Sequence, residues 1–428
     1  MKTALVIGAG AGGAAAAKTL QGSFKVTVLE HGRNFKPFGV NLNWVEKTRK
    51  LGLWKQEWLI PWLFPAMRIQ KTKAGMVLVW GRGTGGTTTL AAGNGIRYDA
   101  RLRTLGINLD AEFRELAEEL PITDTHEKFW TPLTKRAFEF SRQKGLKPMN
   151  TPKLLRLEKC RHCGHCILGC PYGAKWDSRE YLHRVWVQGG EVKTGRKVVK
   201  IEADKNRVRV LAHHGIRTET YTADVCVVAA GGFGTPVILK NSGVAIQNRL
   251  FVDPVLCVAA CVPNANQLRE IPMPFVVQRG KYILSPYFDY LSFFFNSKWN
   301  HPRRDIYSLM IKLADQEQGD VRGCRINKPL TPEDKKALDR GVADCLEIFR
   351  DLGIDTKQTF LGTLNAGHPG GMLPLTEASA ASMHPTGLPE NVYVADASLF
   401  PGSLGNPPIL TIMALAKKIG KMIMAKHA

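Results

Sequence analysis

Four cysteines set within eleven residues are the most chemically specific feature of this 428-residue chain. Cys160, Cys163, Cys166 and Cys170, with Pro171 behind them, read C-x2-C-x2-C-x3-C-P, a spacing that holds iron-sulfur clusters. Soft thiolate ligands select zinc or iron-sulfur, and His162 and His165 inside the run keep zinc open. The expected group is a [4Fe-4S] cluster. Only one such run exists, so the fourth ligand stays open: Cys170 by default, with Cys226, Cys257, Cys261, Cys324 or Cys345 as substitutes. Nine cysteines with four so closely set, and no secretory leader, point to a reducing compartment and metal ligation in place of disulfides. Lys2 does precede a small apolar run, but glycines break that run and it continues into a second strand.

A second constellation opens the chain. Gly8, Gly10 and Gly13 form GxGxxG between a strand-like run at Ala4 to Ile7 and a helix, and Phe24 to Leu29 alternates into another strand. The first glycine suits a tight turn, the second lets backbone approach a pyrophosphate at a helix N-terminus, and the third lets helix and strand pack closely. Glu30 follows about 20 residues on, where a carboxylate can bond a ribose diol and repel a 2'-phosphate, which favours FAD or NAD over NADP. Residues 81–95, GRGTGGTTTLAAGNG, make a second loop with six glycines in fifteen residues, interleaved with Arg82 and Thr87 to Thr89, suited to a phosphate or a flat ring.

Other elements must position these groups. Met76 to Trp80 reads as a strand entering the second loop, Leu109 to Leu120 and Thr134 to Gln143 as helices, and Glu191 to Thr194, Lys197 to Ala203, Val208 to Ala212 and Asp224 to Ala230 as strands. Between 250 and 330, aromatic-rich stretches such as Tyr287 to Phe295 fit an antiparallel sheet with one face covered. Pro332 to Leu352 reads as a helix, Asn391 to Ala395 as a strand, and a last helix starts around Pro407 and Pro408, placed to pack beside the first. Leu51 to Met67 sets Trp54, Trp58 and Trp62 at helical spacing, interrupted by Pro61 and Pro65, and reads as a core-facing or lid helix.

The charge is 59 basic against 37 acidic residues, a net of +22 with pI near 9.7. That favours an anionic partner or surface, while no nucleic-acid motif accompanies it. No run of 18 apolar residues appears, so a membrane-spanning helix is not expected.

Taken together, VIGAGAGG at the start, GRGTGG in the second loop, VVAAGGFGTPVILKNSG at 227–243 and the C-terminal NVYVADASLFPGSLGNPPILTIMALA resemble the glucose-methanol-choline family of FAD oxidoreductases. The resemblance implies an α/β fold: a Rossmann-type FAD-binding domain interrupted by an α+β substrate domain containing an antiparallel sheet. The expected partition is 1–98, 186–249 and 386–428 for FAD, with 99–185 and 250–385 for substrate. It implies FAD held by Gly8, Gly10, Gly13 and Glu30, by Arg82, Gly85, Gly86, Thr87 and Asn94, and by Val199, Asp396 and Pro407. Its catalytic pair maps to His368, in HPGG, and Asn406, in GNPP. A histidine near neutrality suits a base that takes an alcohol proton while hydride leaves carbon, and Asn406 suits orientation of the hydroxyl.

Three departures stand out. Met372 follows H-x-x-G where the family usually has Thr, the chain is short for the family, and the cysteine run is foreign to it. The expectation is an FAD and [4Fe-4S] dehydrogenase that oxidises a small-molecule alcohol or related C–H substrate by hydride transfer to flavin and passes electrons singly through the cluster to an external acceptor, with a redox partner protein or subunit. The expected location is cytoplasmic, with possible peripheral contact at the inner membrane face, and nucleic acid is excluded. The alternatives are a reductase running in the opposite direction and an electron-transfer subunit without a substrate of its own.

Overall fold

The computed structural model describes residues 1–50 and 59–427. A five-stranded parallel sheet takes its strands from distant parts of the chain, in the order Val392–Val394, Val225–Val228, Lys2–Ile7, Phe24–Glu30, Glu191–Thr194. Lys2–Ile7 lies near its middle, hydrogen-bonded on both edges, and Ala4 to Ile7 are buried. That accounts for the unbroken apolar run, since a strand covered on both faces has no side to alternate toward water.

The helix Ala11–Leu20 (AGGAAAAKTL) lies against this sheet, with Ala14 to Ala17 at 2% exposure or less. Small side chains let it come close. A side chain on Gly13 would stand 1.9 Å from the Gly8 carbonyl oxygen, and Gly8 itself turns at φ +104°. The C-terminal helix Ile409–His427 packs beside it, with Gly420 against Thr19 and Ile412 near Gly12.

A larger sheet forms the second layer. Val255–Cys261 pairs antiparallel with Ile306–Leu313, which continues to Tyr282–Pro286 and Phe275–Gln278. On the other side, Asn365–Ala366 links it to Val77–Gly81 and Met67–Lys71. Every residue of Ile306–Leu313 is buried, and the helix Pro332–Asp351 crosses it with Gly341 against Ile311. That helix starts at a capping box between Thr331 and Asp334. A three-stranded antiparallel sheet, Lys197–Ala203, Val208–His214 and Arg217–Ala223, completes the architecture.

One expected strand is a helix. Tyr290–Phe295 turns helical behind Asp289, whose carboxylate accepts from the Leu291 N–H at 3.0 Å, and Tyr290 to Phe293 are buried. An aromatic run buried nearly all round has no period from which strand and helix can be told apart. Trp54 and Trp58 lie outside the described residues, while Trp62, in the short helix Ile60–Leu63, is 81% exposed. Among the described residues, no helix is long and apolar enough to cross a membrane.

Gly13→Ala should destabilise the fold by about 1–3 kcal/mol or more, because backbone must move to admit the new carbon. Thermal denaturation checks this, and an unchanged melting temperature would contradict it.

Candidate active site

The two glycine loops meet at one carboxylate. Glu30 ends its strand at 7% exposure and accepts three backbone N–H bonds, from Ala9 at 3.0 Å, Gly32 at 2.7 Å and Gly83 at 3.1 Å. Burial pushes its pKa up, and those three bonds with Arg82 oppose the shift. Gly85 N–H donates to the Ala9 carbonyl at 3.0 Å, and a side chain on Gly86 would stand 2.8 Å from Gly10 Cα. Backbone thus crosses backbone with no room for a β-carbon on Gly86.

This crossing floors a cleft of about 590 Å³ that gathers Gly8, Gly10, Glu30, Arg82, Gly86, Thr87, Val199 and Asp396. Its chemistry suits an anionic dinucleotide. The Ala11–Leu20 helix opens onto it from Gly10 with no side-chain cap and no acid in its first turn, leaving N–H donors free. Arg68, Arg82, Arg196 and Lys197 line it, and Arg82 Nε is buried without a partner among the described residues. Burial with Arg82, Lys197 and Arg68 pulls His31 down to about 4, so it is neutral there. Asp396 accepts from Gly231 N–H and Ser398 N–H, each at 2.8 Å, and from the Thr235 hydroxyl at 2.5 Å. The residues present therefore fit FAD. Gly13 and Gly85 sit behind the cleft, shaping its turns.

A second, apolar cavity of about 200 Å³ shares a wall with the cleft. Trp80, Thr87, Ala91, Gly367, His368 and Pro408 face both spaces. Asn94 and Pro407 line the inner cavity, not the cleft. Asn406 lines neither. It is 2% exposed, its amide oxygen accepts from Gln278 Nε2 at 2.9 Å, and its Nδ2 donates to the Leu404 carbonyl at 3.3 Å. Met372, 2% exposed, packs with Leu250, Val252 and Phe233, so it makes no substrate contact here.

His368 has a charged pair behind it. Its Nδ1 lies 3.6 Å from Asp253 Oδ2, longer than a hydrogen bond, and Lys312 Nζ donates to the same oxygen. Asp253 Oδ1 accepts from the Ser403 hydroxyl and from Gly405 N–H at 3.2 Å. Burial raises the Asp253 pKa, but Lys312 and His368 outweigh it and hold the carboxyl down at about 2. Asp253 sits at φ +51°, costly for a residue with a side chain, and its neighbours over-determine that conformation. Burial, then Lys312, pulls His368 below its usual range, partly offset by Asp253.

Sequence reasoning missed Asp253 and Lys312. A signal was present in IYSLMIKL, where one lysine interrupts a largely apolar strand. Its partner lies 59 residues away, across the sheet.

The four cysteines lie in one loop and each is partly buried. Among the described residues, no group of three or more His, Cys, Asp or Glu side chains stands close enough to hold a metal ion. Two buried ammonium groups adjoin the loop. Lys175 donates to the Thr88, Thr89 and Ala91 carbonyls at 2.8 to 3.0 Å, and Lys153 to Asn94 and the Pro272 carbonyl. Neither forms an ion pair among the described residues.

A family model described as GMC oxidoreductase matches residues 3–256. An uncharacterized protein of Methanocaldococcus jannaschii is 27% identical, over 98% of this chain and 99% of its own length. A long-chain-alcohol oxidase of Arabidopsis thaliana is 21% identical, over 97% of this chain and 68% of that protein. The solved structure of pyridoxine 4-oxidase from Mesorbium loti superposes with a TM-score of 0.73 at 16% identity, both chains covered in full, a likeness of fold.

Lys312→Met should cost about 3–5 kcal/mol, since it strands the buried Asp253 charge. Adding Asp253→Asn should restore much of the loss in denaturant titrations. A single variant as stable as the wild type would contradict the pairing.

Proposed function

The chain belongs to the GMC oxidoreductase family of FAD-dependent enzymes, and from that premise we propose that it is a dehydrogenase oxidising an alcohol borne on an apolar body. The observation that carries this reading is His368, standing on the wall between the cofactor cleft and the apolar cavity with Asp253 behind it. Bound in the cleft, FAD would supply a hydride acceptor for the alcohol carbon. Gly8, Gly10 and Gly86 would give it close backbone contact, and Arg82 and the helix N-terminus would meet its pyrophosphate.

The chain's own part is proton handling and positioning. Neutral His368 takes the hydroxyl proton at the nitrogen away from Asp253, and the Asp253 carboxylate steadies the ring and the imidazolium charge that follows. Lys312 keeps that carboxylate ionised. Phe38, Phe64, Leu291, Phe294, Phe295 and Met310 give the cavity an apolar wall that excludes water and favours a hydrocarbon substrate, in line with the Arabidopsis relative. Asn406, engaged by Gln278 and Leu404, acts by holding the turn whose Pro407 and Pro408 line the cavity.

The reading extends to a [4Fe-4S] cluster on Cys160, Cys163, Cys166 and Cys170, which when bound supplies one-electron transfer to an external acceptor. Its support is the cysteine spacing and the two buried lysines beside the loop, whose charge a set of thiolates would compensate.

His368→Ala should slow anaerobic flavin reduction by an alcohol roughly 100-fold or more with flavin content intact. In the wild type, that rate should be flat above the usual histidine value of about 6.5 and should fall only at pH below it, because the lowered pKa keeps the base neutral past the point where an ordinary histidine would be protonated. Unchanged reduction in the variant would place the base elsewhere.

Anaerobically purified protein should hold about four iron and four sulfide per chain, and Cys163→Ser should lose most of both while keeping FAD. Stoichiometric zinc would contradict the cluster.

A further inference from the structure

We propose that a basic cleft beside the cysteine loop docks an acidic one-electron carrier protein; the proposal rests on the cluster reading of that loop. The cleft encloses about 830 Å³, and Arg161, His162, Cys163, Arg269, Arg303 and Arg304 lie on its walls. It is therefore where the cysteine loop meets open solvent on a strongly positive surface.

Two of the four arginines on the cleft wall form no ion pair among the described residues. Among the described residues, Glu46 is the one acidic side chain on the cleft wall, and Arg303 holds it at 3.3 Å. Arg304 is 71% exposed, with Asp305 at 3.6 Å. Arg161 and Arg269 are exposed and form no ion pair among the described residues. The basic rim continues through Lys128, whose ammonium lies 5.0 Å from the Phe129 ring that packs on His162 at 4.1 Å.

Charge complementarity selects the occupant. A concave wall of guanidinium groups attracts clustered carboxylates, speeds encounter and lets the complex part readily, as a transient electron-transfer contact needs. A membrane surface would call for a convex apolar face. Oxidation of one alcohol to a carbonyl releases two electrons and two protons. Two oxidised carrier molecules each take one electron here, and the protons pass to solvent.

The test uses an acidic plant-type [2Fe-2S] ferredoxin with the holoprotein, and basic cytochrome c as the opposite-charge probe. Ferredoxin should bind at low ionic strength, lose affinity steeply as salt rises, and bind at least 10-fold more weakly to the Arg161→Glu, Arg269→Glu, Arg304→Glu triple variant, whose melting temperature should match the wild type. Cytochrome c should show no affinity loss from these changes. Ferredoxin binding indifferent to salt and to the three arginines overturns the proposal. So does arginine-dependent sedimentation with anionic vesicles and none with ferredoxin. Cys163→Ser protein separates the two readings: retained docking with lost electron delivery supports both, whereas retained docking with full delivery keeps the surface and removes the cluster from the route.

Discussion

The buried carboxylate of Glu30 joins the two layers of this protein. The first glycine loop leaves the parallel sheet after Lys2–Ile7, and the second leaves the larger sheet after Val77–Gly81. Nothing in local chain geometry requires them to meet. Glu30 accepts from Ala9 in one and Gly83 in the other, while Gly32 fixes its own strand end. Three N–H donors offset the cost of burying a carboxylate, and the glycines allow the loops to cross at backbone distance. The cleft follows from that crossing. A carboxylate has about four acceptor positions, so Glu30 keeps one beyond this structural work.

Asp253 performs the matching task on the substrate side. It ties the strand end before Val255–Cys261 to Ser403 and Gly405 of the C-terminal loop, and it carries the charge that faces His368. The same contacts that close the fold therefore set the surroundings of His368. Asp396 repeats the device a third time, bonding Gly231, Thr235 and Ser398 beside the cleft. Each of these acids is buried, multiply hydrogen-bonded and set where backbone from distant parts of the sequence converges. Polar groups of this kind cost stability when one partner is missing and so specify a single arrangement.

Much of the fold is legible in the sequence because periodicity and turn chemistry are local. Glu191–Thr194 and Lys197–Ala203 begin and end where their patterns do, and Pro332 marks its helix through the Thr331 and Asp334 cap. Tyr290–Phe295 is illegible because burial on nearly every side erases the period. The site is legible where backbone identity matters, at Gly8 and Gly86, where a side chain would strike neighbouring backbone. It is illegible where two side chains meet across a sheet. Asp253 and Lys312 carry no motif, and the environment of His368 depends on both. Asn406 and Met372 show the converse: they belong to motifs whose Pro407 and His368 line the site, while their own side chains turn to Gln278 and to a hydrophobic cluster.

The central claim is that one chain takes electrons from an alcohol at the His368 cavity and carries them to the cysteine loop. Electron paramagnetic resonance spectra of the anaerobic holoprotein, recorded before and after addition of a long-chain primary alcohol alone, test it most directly. The account predicts that the alcohol bleaches the flavin absorbance and that a reduced iron-sulfur signal appears in the same sample. Flavin that bleaches with no cluster signal, in protein shown to contain iron and sulfide, would contradict it.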